Sequence, residues 1–568
     1  MRLRSKLQWV LLSMLLKRLN ECLLVEKGIP VNTGIFLLVY NIYMFWVDKL
    51  AQELKTRKLK LEWVDDMKTP SGRIHVGSLR GVVINDLIYR GLIDAGVKAK
   101  FTYVFEDQDP LDKLPHYLDE KTWGEYLGKP LFQIPSPEKG FSSYSEFFAK
   151  EFEEVFNNIG SYPEIIWGRT LYLSGKMNEV VRECLDKADI IRGIYKEMYD
   201  KDFSSNWYPF NPVCSKCGKM VTAVVTDWDG EQITFECRKE GSYTSGCGNI
   251  ETKSPFSDEG HFAGKLPWKV EWPAKWKVIG VTVEGAGKDH MVKGGSHDFA
   301  KLMCERVLDY PVPYSFIYEF FLLKGKKMSS SKGRGSSAKE VSTIIPPSLL
   351  RMLMVRTKIK RPIDFDPTGM TIPDLFDEYD RCAKAYYEGG DENLSQIFEL
   401  SHVEKLMAKM PYYPRFRDVG TYVQIPNLDL VARFTELKGS KLTKIEQDIL
   451  NQRVKYAKLW LKDYAPEDFV FVYQEKRPEL ALNLSDGQKE FLSQAIEKLD
   501  NNLTGDEVQT LLYEVAKAGK GSVPNAFAAV YVSLLGKVSG PRAGYLVVDI
   551  GIDKVKQRFA QITQASKK

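Results

Sequence analysis

The sequence predicts an α/β protein. A Rossmann-like parallel-sheet domain is split by an insertion, and an all-α C-terminal part follows. Three observations predict this order: a strand–helix–strand succession over residues 59–105, similar alternation over 277–323, and purely helical patterns after Pro367. Parallel strands need long crossover connections, usually helices, so alternating strand and helix patterns indicate a parallel sheet.

The first βαβ unit has the clearest pattern. Leu59–Lys68 (LKLEWVDDMK) and Val97–Phe105 (VKAKFTYVF) have strand character, and Val76–Ala95 between them has a helical pattern. The other predicted elements of this half are the strands Lys277–Glu284 and Tyr314–Leu323 and the helices Tyr144–Asn158, Met177–Asp200 and Gly295–Leu308.

A chain of 568 residues exceeds what one hydrophobic core usually spans. We therefore expect several domains. The predicted divisions are an N-terminal extension (1–43), a sheet domain (44–360) with an insertion at about 110–265 that contains a cysteine module (205–255), and a helical C-terminal domain (361–568).

The N-terminal extension differs in composition from the rest of the chain. It carries six Lys/Arg against two Glu, which is four of the chain's net charge of +5, so any nucleic-acid surface elsewhere must be a local basic patch. Its apolar run Leu7–Leu16 is followed at once by Lys17 and Arg18 without a small-residue cleavage site, and a signal peptide is not predicted. The extension is interpreted either as an amphipathic appendage or, preferentially, as upstream sequence translated by mistake before a true start at Met44. No apolar run approaches the roughly 20 residues of a membrane helix.

Four of the eight cysteines cluster between residues 214 and 247. The spacing is C-x2-C, nineteen residues, C, nine residues, C, and four thiolates brought together suit a tetrahedral structural zinc. We therefore predict that Cys214, Cys217, Cys237 and Cys247 bind Zn²⁺. The distribution suits a reducing cytoplasm and excludes a disulfide scaffold.

A first nucleotide signal follows the first predicted strand. Residues 69–78 read TPSGRIHVGS and lead into the first helix, where backbone amides point at anions. Gly72 and Gly77 remove side chains where a nucleotide would approach the backbone. His75 offers an imidazole donor for a phosphate oxygen, and Ser78 closes the element.

A second nucleotide signal follows the last predicted strand. Residues 323–335 read LKGKKMSSSKGRG and combine five Lys/Arg with three serines and three glycines. Such a loop can close on a triphosphate, with cations neutralising charge and hydroxyls filling the coordination shell. Alone, this pattern is as typical of a solvated basic loop.

The two signals in this order resemble the HIGH and KMSKS signatures of class I aminoacyl-tRNA synthetases. They stand here as HVGS (75–78) and KMSSS (327–331), with serine at the fourth position of each. Further segments resemble the class I lysyl-tRNA synthetases of archaea and some bacteria, from about Met44 to near the C-terminus. These segments are TPSGRIHVGSLRG (69–81), WPAKW (272–276), GKDHMVKGGS (287–296), PVPY (311–314), KMSSSKG (327–333), IDFDP (363–367) and LGKVSGPRAG (535–544).

The resemblance implies ATP-dependent ligation of L-lysine to tRNA(Lys) through a lysyl-adenylate, with Mg²⁺ accompanying ATP. It implies that 361–568 binds the anticodon. His75 and Lys327 are then the expected catalytic residues. The expected ATP-binding residues are Gly72, His75, Gly77, Ser78, Gly287, Asp289, Lys327, Ser329, Ser331 and Lys332. The expected amino-acid-binding residues are Thr69, Trp268, His290 and Tyr318.

Two alternatives remain at this stage. Met67 stands where the family tends to have glycine, which leaves open a class I synthetase for another amino acid such as glutamate. Met67 and Ser330 together also leave open a non-catalytic tRNA-binding paralogue. A small-molecule nucleotidyltransferase shares the His-x-Gly element, but such proteins are far shorter.

Overall fold

The computed structural model describes residues 45–327, 337–519 and 521–564, so the interpretations of 1–43 fall outside the described residues. The chain forms two compact units, one of residues up to Leu61 with Arg90–Lys98, the other of Glu62–Tyr89 with Ala99 onward. The first unit contains the helix Trp46–Lys55. Its residues Val47, Leu50, Ala51 and Leu54 are buried at the helical spacing of an apolar stripe.

The second unit contains a five-stranded sheet whose paired strands are all parallel, in the order β5-β4-β1-β2-β3. Its strands are β1 (Glu62–Lys68), β2 (Ala99–Phe105), β3 (Glu164–Trp167), β4 (Val283–Gly287) and β5 (Tyr314–Tyr318). β1 pairs with β2 along its whole length, from Glu62 opposite Ala99 to Lys68 opposite Phe105. The predicted parallel α/β sheet is confirmed, and the carboxyl ends of its strands lie at one edge.

Four elements differ from the sequence prediction. The predicted helix Met177–Asp200 is two helices, Asn178–Asp186 and Ala188–Tyr199. The predicted strand Lys277–Glu284 is wrong over residues 277–282, because Trp268–Ile279 is a helix and β4 begins only at Val283. The residues of this helix from Val270 to Trp276 are all buried, so the sequence shows no polar face to mark a helix. The predicted strand Tyr314–Leu323 is two strands in different sheets. β3 was not predicted; it spans four residues within the segment assigned to the insertion.

The connections between the sheet strands carry the remaining elements of this half. The helices are Val76–Asp94, Glu120–Trp123, Tyr144–Asn158, Gly168–Leu173, Asn178–Asp186, Ala188–Tyr199, Trp268–Ile279, Lys288–Met291 and Ser296–Met303, which continues as a π-helix over Cys304–Leu308. The small sheets comprise Ala223–Trp228, Ile233–Cys237 and Ile250–Lys253; Asn211–Pro212 and Gly264–Lys265; and Phe321–Leu323, Lys326–Lys327 and Ile363–Phe365.

After residue 367 the described chain is helical, as predicted. The helices from residue 338 onward are Ala338–Ile344, Pro347–Val355, Thr371–Glu388, Glu392–Ser401, Phe416–Tyr422, Leu430–Lys438, Lys444–Asp463, Asp486–Lys498, Gly505–Ala518, Val523–Leu535, Ala543–Ile550 and Ile552–Gln564. Capping boxes at Thr443, Ser485 and Thr504 fix three of their starts, since each cap side chain and the residue three positions on satisfy each other's backbone amides. Among the described residues, none of the helices has the length and hydropathy needed to cross a membrane.

Arg351 joins the helical part to the sheet part. It is 1% exposed, forms an ion pair with Asp86, and donates to the carbonyl oxygens of Ile159 (3.2 Å) and Leu400 (2.6 Å). A guanidinium presents five donors in a fixed plane, so one side chain satisfies groups from several segments at once. These contacts fix the helices after residue 347 to the layer that covers the sheet.

Candidate active site

A cavity of about 780 Å³ opens at the carboxyl edge of the sheet. In an open parallel sheet this edge is where ligands bind, because the strand ends and helix N-termini meet there. Its wall includes the ends of β1, β4 and β5 at Lys68, Gly287 and Tyr318. The residues predicted from sequence that line this cavity are Thr69, Gly72, His75, Gly77, Ser78, Trp268, Gly287, Asp289, His290 and Tyr318.

The turn after β1 places His75 at the start of the helix Val76–Asp94. A β-carbon on Gly77 would lie 2.8 Å from His75 Nδ1, so glycine at this position makes room for the imidazole. A β-carbon on Gly72 would lie 2.9 Å from Pro115 Cγ. These two glycines therefore allow close packing of the turn itself, in addition to lining the cavity.

The second nucleotide signal is anchored next to the first. On its N-terminal side, Lys326–Lys327 pairs with Leu322–Leu323 in an antiparallel hairpin. On its C-terminal side, Ser337 forms a β-bridge with His75, and the amide of Ala338 donates to the carbonyl of Ile74 at 2.8 Å. Ser329, Ser331, Lys332 and the side chain of Lys327 lie outside the described residues. Both flanks of the segment thus border the same end of the sheet as His75.

Aromatic rings cluster on one wall of the cavity. The ring centroids of Trp268 and His290 are 5.9 Å apart, and those of Trp272 and His290 are 6.1 Å apart. Trp268 keeps 46% of its surface exposed, so its ring is available to pack against the apolar part of a ligand. Met67, the departure noted from the family pattern, also lines the cavity.

A buried network of charges that no sequence motif predicts lies beside the cavity. Lys265 forms ion pairs with Asp109 and with Glu271, the latter at 2.6 Å. Lys275 pairs with Glu106 and lies 3.5 Å from Glu271. The carboxylates of Glu106, Asp109 and Glu271 are close enough together to hold a metal ion. Two lysine ammonium groups compensate their charge instead, so this cluster is an ion-pair network.

Thr69, a predicted amino-acid-binding residue, contacts this network directly. Its hydroxyl donates to Asp109 Oδ2 at 2.5 Å. Burial by itself would raise the pKa of Asp109, but the Lys265 ammonium and the Thr69 hydroxyl together hold it below its ordinary value. Asp109 is therefore ionised at neutral pH and fixes the rotamer of Thr69. The Asp-Pro pair at 109–110, four residues after the end of β2, was the available sequence signal.

A second group of carboxylates lies deeper in the sheet. Burial raises the pKa of Asp66 to about 7, and it raises the pKa values of Asp65 and Glu284 well above their ordinary range. Glu284 accepts the indole N–H of Trp272 at 2.8 Å and that of Trp276. Asp66 and Glu284 line the cavity. Two consecutive aspartates inside an apolar strand were the sequence signal for this group.

The four clustered cysteines come together beside the small sheet, with Cys237 at the end of the strand Ile233–Cys237 and the other three in the loops around it. Cys214 Sγ lies 3.6 Å from Cys247 Sγ, and Cys217 Sγ lies 3.6 Å from Cys237 Sγ. All four sulfur atoms lie within 4.8 Å of one another. Tetrahedral Zn–S bonds of about 2.3 Å place sulfurs about 3.8 Å apart, so this donor set fits Zn²⁺. Gly218 and Gly248 have φ of 73° and 74°, which a turn around the cluster requires.

Comparisons with known proteins identify the family of the chain. Residues 44–404 match the family model of the class I (K) tRNA synthetases. The chain is 33% identical to the lysine–tRNA ligase of Methanosarcina barkeri, over 92% of this chain and 98% of that protein. It is 34% identical to the lysine–tRNA ligase of Archaeoglobus fulgidus, over 91% of this chain and 99% of that protein. The chain therefore belongs to the class I (K) family of tRNA synthetases.

Proposed function

We propose that this protein is a lysine–tRNA ligase that attaches L-lysine to tRNA(Lys) in two steps. The lysine carboxylate attacks the α-phosphate of ATP, which gives lysyl-adenylate and pyrophosphate. The terminal ribose hydroxyl of the tRNA then takes the acyl group and releases AMP. Positioning and charge stabilisation carry such a phosphoryl transfer without a protein nucleophile.

One observation supports this proposal: the first nucleotide signal and the predicted amino-acid residues line a single cavity at the carboxyl edge of the sheet, and the described C-terminal flank of the second signal pairs with His75 through Ser337. We assign His75 to the nucleotide end of this cavity and Trp268 and Tyr318 to its amino-acid end, since all three line it. A lysine stem suits aromatic walls, and its ammonium group suits nearby oxygen acceptors.

In this assignment each part of the site has a role. His75 and Lys327 stabilise negative charge on the transferring phosphate, while Gly72, Gly77, Ser78, Ser329, Ser331 and Lys332 bind the phosphates with Mg²⁺ bound to ATP. Gly287 and Asp289 bind the ribose, whose hydroxyls a carboxylate accepts. Thr69, Trp268, His290 and Tyr318 bind lysine. The cysteine cluster holds a structural zinc, the helical domain 361–568 binds the anticodon, and the enzyme acts in the cytoplasm.

Charging of unfractionated tRNA by the full chain, with ATP, Mg²⁺ and labelled lysine or glutamate, tests the proposal. We expect lysine alone to be attached. Charging of glutamate would overturn the lysine assignment, and charging of neither would favour the non-catalytic tRNA-binding paralogue.

Substitution of His75 tests the same proposal at one residue. His75→Ala is expected to lower kcat for lysine-dependent pyrophosphate exchange in the presence of tRNA by about 10²–10³-fold, because one donor to the developing phosphate charge is lost. The matched control is His261→Ala, at an exposed turn outside the cavity, which should retain full activity. Unchanged kcat in His75→Ala would contradict the role of this residue.

A further inference from the structure

The carboxylates around the cavity differ in how their charge is compensated. Asp109, Glu271 and Glu106 are paired with protein lysines, and Glu319 is paired with Lys288 at 2.8 Å. Glu284 accepts hydrogen bonds from the indole N–H groups of Trp272 and Trp276. Asp66 forms none of the ion pairs found among the described residues, although Lys68 lies near enough for its charge to lower the pKa of the Asp66 carboxyl. A buried carboxylate in a substrate cavity requires a reason to be there, because burial penalises its charge.

One carboxylate oxygen of Asp66, Oδ2, lies beside Gly81. Asp66 is 8% exposed, and its Oδ1 accepts the Met67 amide at 2.9 Å. A β-carbon on Gly81 would lie 2.7 Å from Asp66 Oδ2 and 2.7 Å from the Tyr318 hydroxyl oxygen. The two oxygens therefore both lie beside Gly81 and are no more than about 5.4 Å apart, so a single ammonium group on the cavity side of the Gly81 backbone can hydrogen-bond to both.

A lysine substrate has two ammonium groups, the α-amino group and the one at the end of its side chain. The position of Asp66 along β1 indicates which of the two it would bind. A strand rises about 3.3 Å per residue, so Asp66 lies about 10 Å behind Thr69, towards the interior of the sheet. The phosphate elements begin after Thr69, and the reacting carboxylate of the amino acid must lie beside them. The α-amino group is attached next to that carboxylate, whereas the side-chain ammonium lies at the far end of an extended lysine.

We infer that Asp66, together with the Tyr318 hydroxyl, binds the side-chain ammonium of the substrate and so determines the specificity for lysine. This inference deepens the proposed function and rests on it. A glutamate side chain placed at the same position would meet a like charge, which discriminates against it. Asp66 does not touch the reacting atoms and is a specificity-determining residue.

The titration of Asp66 supports this assignment. Burial raises its pKa to about 7, and the Met67 amide, Lys68 and Asn85 act in the opposite direction. The other charged or titratable groups that interact with it are Asp65 on β1, Tyr103 on β2, Glu284 on β4 and Tyr318 on β5. The free carboxyl is protonated below this pH, so lysine affinity should fall as the pH drops below about 7.

The inference is tested by comparing the ligand affinities of the full chain and of its Asp66→Asn variant. Asparagine has nearly the same size as aspartate and keeps an oxygen that accepts the Met67 amide. Calorimetry with lysine, 6-aminohexanoate (no α-amino group) and norleucine (no side-chain ammonium) separates the two ends of the ligand. We expect the variant to bind lysine and 6-aminohexanoate about 30-fold or more weakly and norleucine unchanged. We also expect its lysine affinity not to vary between pH 6 and 8. Asp189→Asn, an exposed helix residue outside the cavity, is the control.

Other outcomes overturn the inference in distinguishable ways. Unchanged affinity for 6-aminohexanoate in a folded Asp66→Asn protein would show that Asp66 does not bind the side-chain ammonium. Weakened norleucine with unchanged 6-aminohexanoate would place the α-amino group there instead. Failure of the unsubstituted protein to bind or charge lysine would overturn the proposed function itself, and this assignment with it. The melting temperature of the variant should not fall, because a buried charge is removed, and it provides the check on folding.

Discussion

Removal of the metal from the cysteine cluster is expected to unfold the small sheet of residues 223–253 and to abolish charging. Structural zinc contributes apparent binding energies of about 10–16 kcal/mol in zinc-finger peptides at neutral pH, and here that energy would become folding energy. Cys214, Cys237 and Phe235 belong to the same hydrophobic cluster as Trp276 and Phe299. Loss of the metal therefore disturbs the core beside the cavity and not only the cysteine sheet.

Metal analysis, limited proteolysis and circular dichroism of Cys237→Ser measure this effect. The unsubstituted protein should contain one zinc per chain, and the variant should lose the metal and be cleaved within 205–255. Cys382→Ala is the matched control, because Cys382 is a buried cysteine in the helix Thr371–Glu388, remote in sequence from the cluster. A metal-free protein with the same melting temperature and charging rate would contradict the structural role.

Lys265→Met is expected to lower the free energy of unfolding by about 3–5 kcal/mol. Lys265 is 2% exposed, and its removal leaves the carboxylates of Asp109 and Glu271 without their shared cation. Asp109 then loses its direct ion-pair partner, so its carboxylate, and with it the Thr69 hydroxyl that donates to it, is held less firmly. We expect KM for lysine to rise as well as stability to fall.

Urea denaturation and lysine-dependent pyrophosphate exchange in the presence of tRNA measure the two effects separately. Lys277→Met is the control, since Lys277 forms an ion pair with Glu183 at 2.7 Å while 35% of its side chain stays exposed. A pair of this kind contributes about 0–1 kcal/mol. If both variants were equally stable, the buried network would not contribute to stability as described.

The sequence allowed prediction of the elements whose pattern is local. The βαβ unit at 62–105 and the helix Tyr144–Asn158 follow from alternation and helical spacing, and the boundaries of that helix agree with the structure. β3 has four residues, too few for a period-two pattern to stand out. The helix Trp268–Ile279 is buried on all sides over much of its length and contains Pro273, so its sequence has neither a polar face nor an uninterrupted helical composition.

The same distinction between residues with a local sequence signal and residues without one applies to the site. His75, Gly287 and the four cysteines lie in short motifs that single them out in the sequence, and the structure brings His75 and Gly287 to one cavity and the four cysteines to one cluster. The ion pair of Lys265 with Asp109 joins residues 156 positions apart, and that of Lys275 with Glu106 joins residues 169 positions apart. A single sequence contains no local signal for such pairs, because the pairing depends on how the strands are ordered in the sheet. The Asp66–Tyr318 arrangement depends in addition on the missing side chain of Gly81.

The buried carboxylates of β1 and β4 have a consequence for how much of the protein survives in a cell. Burial raises the pKa values of Asp65, Asp66 and Glu284 in the folded chain above those in the unfolded chain. The folded state therefore retains protons that the unfolded state has released, and its stability falls as the pH rises towards neutrality. A cationic amino acid bound at Asp66 offsets part of this loss by mass action. Amino-acid starvation would then expose the empty enzyme to faster proteolysis, and its steady-state abundance would follow the supply of its own substrate.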